Sequence, residues 1–215
     1  MKTKQIDFWS GDFGKQYTNR NTPRSLDVWN QTYKNLYGTE RFDMFNIFIG
    51  NIPKESKILE VGCNVGIQLR GLQRLGFTNL YGIELQSYAV ERAKQISSQI
   101  NIIQGSAFDI PFKNDYFDLV MTNGVLIHIA PNDLPKAISE IVRCTKQYVL
   151  GFEYYSETLQ EVNYRGNQGF LWKMDFAKVY QDNFNNLNLI KEIHYPYLTK
   201  AEQGNVDTMF LLEKC

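Results

Sequence analysis

Two glutamates stand at positions where they could bind a nucleoside-like ligand. Glu60 ends the predicted strand that starts at Lys57 and is followed by the glycine turn of Gly62 and Gly66. Glu84 closes a second apolar run, 22 positions after Gly62. In doubly wound α/β folds an acid at about 20 residues' distance hydrogen-bonds a ribose, and the glycines let the ligand approach the start of a helix. These residues therefore predict a nucleotide-binding corner.

The spacing of the glycines indicates which nucleotide this corner favours. At the three glycine positions of the dinucleotide pattern G-x-G-x-x-G the chain has Gly62, Asn64 and Ile67, so only one matches. A carboxylate from Glu60 would repel a pyrophosphate, but it suits the ammonium and sulfonium groups of S-adenosylmethionine. A nicotinamide oxidoreductase is therefore disfavoured. For this stretch taken alone, an ordinary strand-to-helix turn remains the alternative.

Four side chains are candidates for accepting a proton. Methyl transfer from a sulfonium mainly requires alignment of the reacting atoms, but a hydroxyl or amine acceptor must also lose a proton. His128 follows the fourth apolar run, and Glu153 and Tyr154 end the fifth. We name these three as candidate catalytic residues and His194 as a further candidate base. The alternative for His128 is a structural histidine at the edge of the cofactor.

The elements that would position these residues alternate between strands and helices. Apolar runs predict five strands at 57–60, 79–85, 100–104, 117–124 and 147–155. Leu69, Leu72 and Leu75 have helical spacing after the first strand. A second helix is expected after Asn132 or Asp133, and a third near 175–184. Runs at 187–195 and 208–214 predict a closing pair of strands. This alternation favours an α/β fold with a parallel sheet.

The first 50 residues predict an arm that leads into the sheet. Phe8, Trp9, Phe13 and Tyr17 form an aromatic, glycine-punctuated segment that is too irregular for a long helix. Such residues suit a flap over residues 8–21 that excludes water from a bound ligand. Alternatively, they only attach the arm to the core. Two helices, one after Ser25 and one before Pro53, are expected to cover the sheet or the crevice.

The loop 155–172 follows the fifth strand and is expected to contact the acceptor. Loops on a rigid scaffold often carry specificity. Tyr155, Tyr164 and Trp172 could stack on a sugar or base, and Arg165 could pair with an anionic group of the acceptor. The alternative for Arg165 is a solvated surface arginine.

Four segments in this order resemble a known family. They are ILEVGCNVG, YGIELQ, GSAFDIPF and YFDLVMTNGVLIHI, and they closely resemble the motif series of class I S-adenosylmethionine-dependent methyltransferases. The resemblance implies α/β architecture with a Rossmann-like seven-stranded methyltransferase sheet, helices on both faces and an N-terminal helical arm. Two positions depart from the family pattern, because Asn64 replaces a common glycine and Ser106 replaces an acid that bonds the adenine.

The same resemblance implies S-adenosyl-L-methionine as cofactor and S-adenosyl-L-homocysteine as product. The first acid and glycines would hold the methionine part, the second acid the ribose, and the segments after strands three and four the adenine and the methyl group. The implied cofactor-binding residues are Tyr17, Arg20, Glu60, Gly62, Cys63, Asn64, Gly66, Glu84, Leu85, Gln86, Ser106, Ala107, Phe108, Asn123, Gly124 and Val125.

A narrower resemblance extends over nearly the whole chain. The segments FWSGDFGKQYTNRN, EYYSE and YRGNQGFLWKMDF are similar to methylases associated with pseudaminic acid biosynthesis in bacteria. This implies a sugar, nucleotide-sugar or nonulosonate acceptor in surface-glycan biosynthesis. The alternative is a non-catalytic nucleoside- or partner-binding module on the same fold.

Composition supports one domain and excludes some classes of function. The chain has 215 residues, of which 43% are hydrophobic and 21% charged, so we expect a single domain. Within it we distinguish an arm (1–50), a cofactor-binding core (51–155), and an acceptor loop with a C-terminal hairpin (156–215). The 23 basic and 23 acidic residues balance, which argues against general nucleic-acid binding.

The sequence also carries expectations about metal, membrane and location. The three scattered cysteines show no metal spacing and indicate a cytoplasmic protein without a metal site. There is neither a run of about 18 apolar residues nor an apolar signal core in residues 1–10, so no membrane segment is expected. An oligomeric state is not indicated.

Overall fold

The fold is built on one seven-stranded sheet. The computed structural model describes residues 2–97 and 99–215. Its strands are β1 Lys57–Val61, β2 Asn79–Glu84, β3 Asn101–Gln104, β4 Phe117–Asn123, β5 Thr145–Tyr154, β6 Gln160–Glu161, β7 Trp172–Lys173, β8 Leu187–Pro196 and β9 Val206–Lys214. The main sheet has the order β3-β2-β1-β4-β5-β9-β8, and β6 and β7 form a separate two-stranded ribbon. The neighbours from β3 to β5 are parallel, and β9 is antiparallel to both β5 and β8.

Helices pack on both faces of this sheet. They are α1 Lys4–Ser10, α2 Asp12–Asn21, α3 Leu26–Tyr37, α4 Arg41–Ile49, α5 Ile67–Arg74, α6 Ser87–Ile96, α7 Leu134–Cys144 and α8 Phe176–Asn183. Side chains alternate along each strand, so Ile58 of β1 joins the core under α3 to α6, whereas Leu59 joins the core under α7 and α8. The predicted Rossmann-like sheet, its helices on both faces and its closing antiparallel strands are confirmed.

The strand order places the predicted site at the point where the chain reverses direction across the sheet. β1 pairs with β2 on one side and with β4 on the other, and both pairings are parallel. In open parallel sheets, ligands bind at the carboxyl ends of the strands beside such a reversal. Glu60, Glu84 and Asn123 all lie at the carboxyl ends of their strands.

The N-terminal arm is more regular than its sequence predicts. The segment judged too irregular for a long helix forms two short helices, α1 and α2, which Gly11 separates in an extended conformation. Gly14 allows them to pack closely, since a Cβ there would lie 1.8 Å from the carbonyl oxygen of Trp9. We name residues 4–21 the flap. Among the described residues, no helix is both long and apolar enough to span a membrane.

Candidate active site

A cavity of about 450 Å³ opens at the carboxyl ends of β1 and β4. This volume is within the range of ligand pockets. The strand ends form its floor, the flap forms one wall and α3 another. Fourteen of the sixteen predicted cofactor-binding residues line it, namely Tyr17, Glu60, Gly62, Cys63, Asn64, Glu84, Leu85, Gln86, Ser106, Ala107, Phe108, Asn123, Gly124 and Val125.

The turn after β1 requires glycine at position 62, because of its backbone conformation and a close neighbouring side chain. Gly62 has a φ of +71°, and a Cβ at this position would lie 2.6 Å from a methyl group of Val125. Its N–H donates to the carbonyl oxygen of Ile83 at 2.8 Å. Asn64, at the position where the family often has glycine, also has a positive φ of 48°. Asparagine tolerates this conformation better than most residues, so the departure from the family pattern leaves the turn intact.

Glu84 organises the turn as well as the cavity. Its two carboxylate oxygens accept hydrogen bonds from the backbone N–H groups of Asn64 at 2.8 Å and Gln86 at 2.7 Å. Burial raises the pKa of Glu84, and these backbone donors oppose that shift. The carboxylate is thus fixed toward the cavity, and each oxygen retains a lone pair that could accept a ligand hydroxyl.

Glu60 is a buried acid without a full set of partners. It is 2% exposed, and its Oε2 has no hydrogen-bond partner among the described residues. Burial raises its pKa well above the usual range, while the guanidinium of Arg41 opposes the shift. An unsatisfied buried carboxyl is costly. A cationic ligand group beside it would satisfy this oxygen and favour the ionised form.

The flap is fastened to the cofactor half of the cavity. The Gln86 side-chain amide donates to the carbonyl oxygens of Ser10 and Gly11, both at 2.9 Å, at the break between α1 and α2. Thr18 of α2 donates to the Asn64 side chain at 3.1 Å. Gln86, a predicted cofactor-binding residue, lines the cavity, and its side-chain amide also holds the flap. Ser106 likewise serves its own turn, since its hydroxyl accepts from the Phe108 N–H at 3.2 Å.

His128 is the candidate base that the structure places on the cavity. It ends a 3₁₀ turn at Leu126–His128, and its Nδ1 lies 2.7 Å from the carbonyl oxygen of Phe170. Because a carbonyl only accepts hydrogen bonds, Nδ1 carries the hydrogen and Nε2 keeps a lone pair. Burial lowers the pKa of His128 to about 4, so the ring is neutral at pH 7.

The other three candidate bases lie outside the cavity lining. Glu153 is 2% exposed and accepts the backbone N–H groups of Val125 and Ile127 at 3.2 and 3.4 Å, so it supports the turn that carries His128. Burial raises its pKa to about 7. The ring of Tyr154 packs beside Tyr197. His194 is exposed on β8 and bonded to Thr208. Their strands end at the crevice, but their side chains point elsewhere.

The loop 155–172 supports the flap more than it covers the acceptor half. Phe170 stacks on Phe8 with ring centroids 4.1 Å apart, and Tyr164 lies 5.0 Å from the His128 ring. Trp172 is 6% exposed in the core, so it is not a free stacking surface. Arg165 is exposed, which is the alternative considered for it.

Three further predicted residues are also absent from the cavity lining. Tyr155 packs against His194, Arg20 lies over the rings of Phe13 and Tyr17, and Gly66 begins α5 in a left-handed conformation. Gly66 contributes to the shape of the turn rather than to the cavity surface.

Residues on α3 line the cavity, although the sequence predicted only a covering helix there. Trp29, Thr32, Tyr33, Leu36 and Tyr37 form this wall. They follow i, i+3, i+4 spacing, which is also the pattern of ordinary core packing. The spacing therefore predicts a buried helix face. It does not indicate whether that face packs on the sheet or lines a ligand cavity.

Behind this wall lies a fully buried arginine that the sequence analysis did not identify. Arg41 is 0% exposed, and its guanidinium lies between the rings of Tyr33, Phe45 and Phe152. It donates to the side-chain oxygens of Gln68 at 3.0 Å and Asn123 at 2.8 Å. Because guanidinium only donates, the amide oxygen of Asn123 faces it, and the NH₂ group is left for the cavity.

Known proteins share this sequence pattern and this fold. The family described as "Methyltransferase domain" matches residues 59–168, about half of the chain. An uncharacterised methyltransferase from Synechocystis is 33% identical over 112 residues, which are 52% of this chain and 52% of that protein. The chain spans about half or less of the length of the first curated relatives it matches.

Two solved structures are similar over the whole chain. The 1,6-didemethyltoxoflavin-N1-methyltransferase of Burkholderia thailandensis, solved with its substrate and S-adenosylhomocysteine, has a TM-score of 0.74 at 12% identity, covering 100% of this chain and 91% of that one. The magnesium protoporphyrin IX methyltransferase of Synechocystis, solved with S-adenosylmethionine, has a TM-score of 0.68 at 14% identity, covering 100% and 99%. At such identities the likeness is one of fold.

Proposed function

The chain belongs to the methyltransferase domain family, whose cofactor is S-adenosylmethionine, and from that premise we propose that it methylates a small-molecule acceptor. The observation that carries the proposal is the unpartnered Oε2 of Glu60 at the floor of the cavity. The site fits the cofactor, because Glu60 would accept its ammonium and Glu84 its ribose hydroxyls. When bound, the cofactor supplies an activated methyl group and leaves as S-adenosylhomocysteine.

The acceptor receives its orientation from the flap and α3. Trp9 of the flap and Tyr33 and Tyr37 of α3 present aromatic surfaces, while Asn123 presents an amide. Aromatic faces combined with amides and hydroxyls suit a sugar-sized acceptor. We therefore include in the proposal a sugar, nucleotide-sugar or nonulosonate, methylated on a hydroxyl or amine in bacterial surface-glycan biosynthesis. The scattered cysteines support a cytoplasmic setting for this reaction.

His128 is assigned the proton-accepting role in this proposal. Its free Nε2 lone pair follows from the Nδ1 hydrogen bond to Phe170, and Glu153 holds the turn in place from behind. Bound S-adenosylmethionine would supply the methyl group and keep the electron pair of the broken carbon–sulfur bond. His128 Nε2 would accept the proton that the acceptor oxygen or nitrogen loses as it is methylated.

The test is product formation by the purified protein. With a panel of sugars, amino sugars, nucleotide sugars and nonulosonates, we expect S-adenosylhomocysteine to form together with an acceptor that is heavier by one methyl group. The alternative is a non-catalytic binding module on the same fold. Cofactor binding without product from any acceptor would favour that module.

A further inference from the structure

A buried carboxylate, Asp207, lies behind the α3 wall of the cavity and accepts hydrogen bonds from two phenols, one of which, Tyr37, belongs to that wall. Tyr37 donates its hydroxyl hydrogen to Asp207 Oδ2 at 2.5 Å, and Tyr197 donates to the same oxygen at 3.0 Å. Asp207 is 3% exposed, and its Oδ1 has no hydrogen-bond partner among the described residues. None of the ion pairs found among those residues involves it.

Of this group, only Tyr37 lines the cavity. A phenol has one hydrogen to donate. Because Tyr37 gives that hydrogen to Asp207, its oxygen can only accept a further hydrogen bond. The negative charge behind it strengthens this oxygen as an acceptor. A ligand group that contacts this oxygen must therefore be a hydrogen-bond donor.

The rest of the cavity has the same electrostatic character. Among the described residues, the carboxyl groups that line it are those of Glu60 and Glu84, and no lysine or arginine does so. The donors available to a ligand are neutral groups such as the Asn123 amide and the Trp9 indole N–H, for which the described residues provide no partner. The cation of Arg41 is buried behind the wall. Neutral donors compensate an anionic ligand only in part.

We propose that Tyr37, backed by Asp207, selects acceptors that present a hydroxyl or amine to this wall and rejects those that present a carboxylate or phosphate. The proposal rests on the proposed function and narrows its substrate class. Neutral sugars and amino sugars fit this rule. Nonulosonates and nucleotide sugars would place a carboxylate or a phosphate against a wall that accepts hydrogen bonds.

The chain supplies a matched pair of variants. Tyr37→Phe and Tyr197→Phe each remove one phenol from the same carboxylate oxygen, but only the first changes the cavity surface. Asp207→Asn removes the charge and leaves both phenols. Thermal unfolding of each variant checks that it folds.

The experiment measures binding of three matched probes, so it does not depend on turnover. Benzylamine, benzyl alcohol and benzoate are titrated into the protein saturated with S-adenosylhomocysteine, and their dissociation constants are read by NMR. We expect the amine and the alcohol to bind at least about tenfold more tightly than benzoate, as a hydrogen bond to a charge-backed group implies. Tyr37→Phe and Asp207→Asn should remove most of this preference, and Tyr197→Phe should retain it.

Three results would overturn the inference. They are equal binding of benzoate, an unchanged preference in Tyr37→Phe, and no binding of any probe. Each can occur while the wild-type protein still forms S-adenosylhomocysteine with an acceptor. Conversely, the probe preference can hold in a protein without turnover, so failure of the proposed function is a separate outcome.

Discussion

At the residue scale, the site depends on acids whose neighbours decide what they can do. Glu60 and Glu84 both end strands at the crevice, yet Glu84 is held by two backbone N–H groups while Glu60 Oε2 has no partner. Glu153 ends a third strand, but its carboxylate is turned to the backbone of the 125–127 turn. Position on a strand predicts an acid's location, and only the surrounding donors determine its role.

Replacing Glu84 should weaken cofactor binding. Glu84→Ala removes the hydrogen-bond acceptors for the ribose and loosens the turn, so we expect a loss of about 1.5–3 kcal/mol in binding free energy. Calorimetric titration of S-adenosylmethionine measures it. Glu91→Ala, an exposed acid on α6 that pairs with Lys94, is the matched control and should bind normally. Unchanged affinity in a folded Glu84→Ala protein would remove this residue from the site.

Replacing His128 should affect turnover and not cofactor affinity. Loss of a general base typically costs roughly 10²–10⁴-fold in rate, so we expect a fall of that order in kcat for His128→Gln. His194→Gln is the natural control, because the other histidine of the chain lies exposed on β8. Since the pKa of His128 is lowered to about 4, its ionisation should leave the rate flat above about pH 5. A kcat in His128→Gln equal to that of the wild type would assign the proton to another acceptor.

At the element scale, the flap is the part of the molecule most directly coupled to ligand binding. Its helices lie on the cavity, and Gln86, two residues after Glu84, donates hydrogen bonds to the break between them. The sequence predicted the flap from its aromatic load but not its helices, because their aromatic face packs on the loop 155–172 and on His128 rather than on a sheet. Apolar residues that make such contacts do not recur at a regular helical spacing, so the sequence gives no helix pattern.

Cofactor binding should protect the flap from hydrogen exchange. We expect slower exchange over residues 4–21 when S-adenosylmethionine is bound. Gln86→Ala should raise exchange there in the free protein, since it removes two hydrogen bonds of about 0.5–1.5 kcal/mol each. Gln104→Ala is the control, because its amide bonds the Leu85 carbonyl and not the flap. Identical flap exchange with and without the cofactor would contradict the coupling.

The core elements were more predictable than the acceptor wall. Strands β1 and β4 are mostly apolar and mostly buried, which is a strong local signal. Tyr37 carried no such signal, since its role depends on Asp207 in β9, 170 positions away. Likewise, the sequence predicts that Trp172 stacks on an acceptor, whereas the structure buries it in the core. This burial depends on long-range packing, which no local sequence pattern indicates.

At the scale of the whole molecule, buried ionisable groups make stability depend on pH. Burial raises the pKa of Glu153 from 4.5 to about 7. A raised carboxyl pKa means that the unfolded chain releases this proton first, so stability is highest below about pH 4.5 and falls as pH rises through about 7. The lowered pKa of His128 acts in the opposite direction and costs stability as pH falls from 6.5 toward about 4.

Glu153→Gln should remove the first of these dependences. Between pH 5 and pH 8.5 we expect the wild type to lose up to about 3 kcal/mol of unfolding free energy through Glu153, and the variant to lose correspondingly less. Urea unfolding at both pH values measures the difference, and comparison with the wild type cancels the contribution of His128. Glu157→Gln, an exposed acid, should behave as wild type. A parallel fall in Glu153→Gln would show that another group carries the effect.

Calorimetric titration of S-adenosylmethionine into the wild type and Glu60→Gln tests whether Glu60 binds the cofactor's cationic group. We expect one site with a dissociation constant on the order of 1–100 µM. We also expect proton release in the wild type, because a cation beside Glu60 favours its ionised form. That release appears as a dependence of the heat on the buffer's ionisation enthalpy. Glu60→Gln should bind roughly 10- to 100-fold more weakly and release no proton, whereas Glu55→Gln, an exposed acid, should match the wild type. Absence of binding by the wild type, or equal affinity and proton release in Glu60→Gln, would contradict the account.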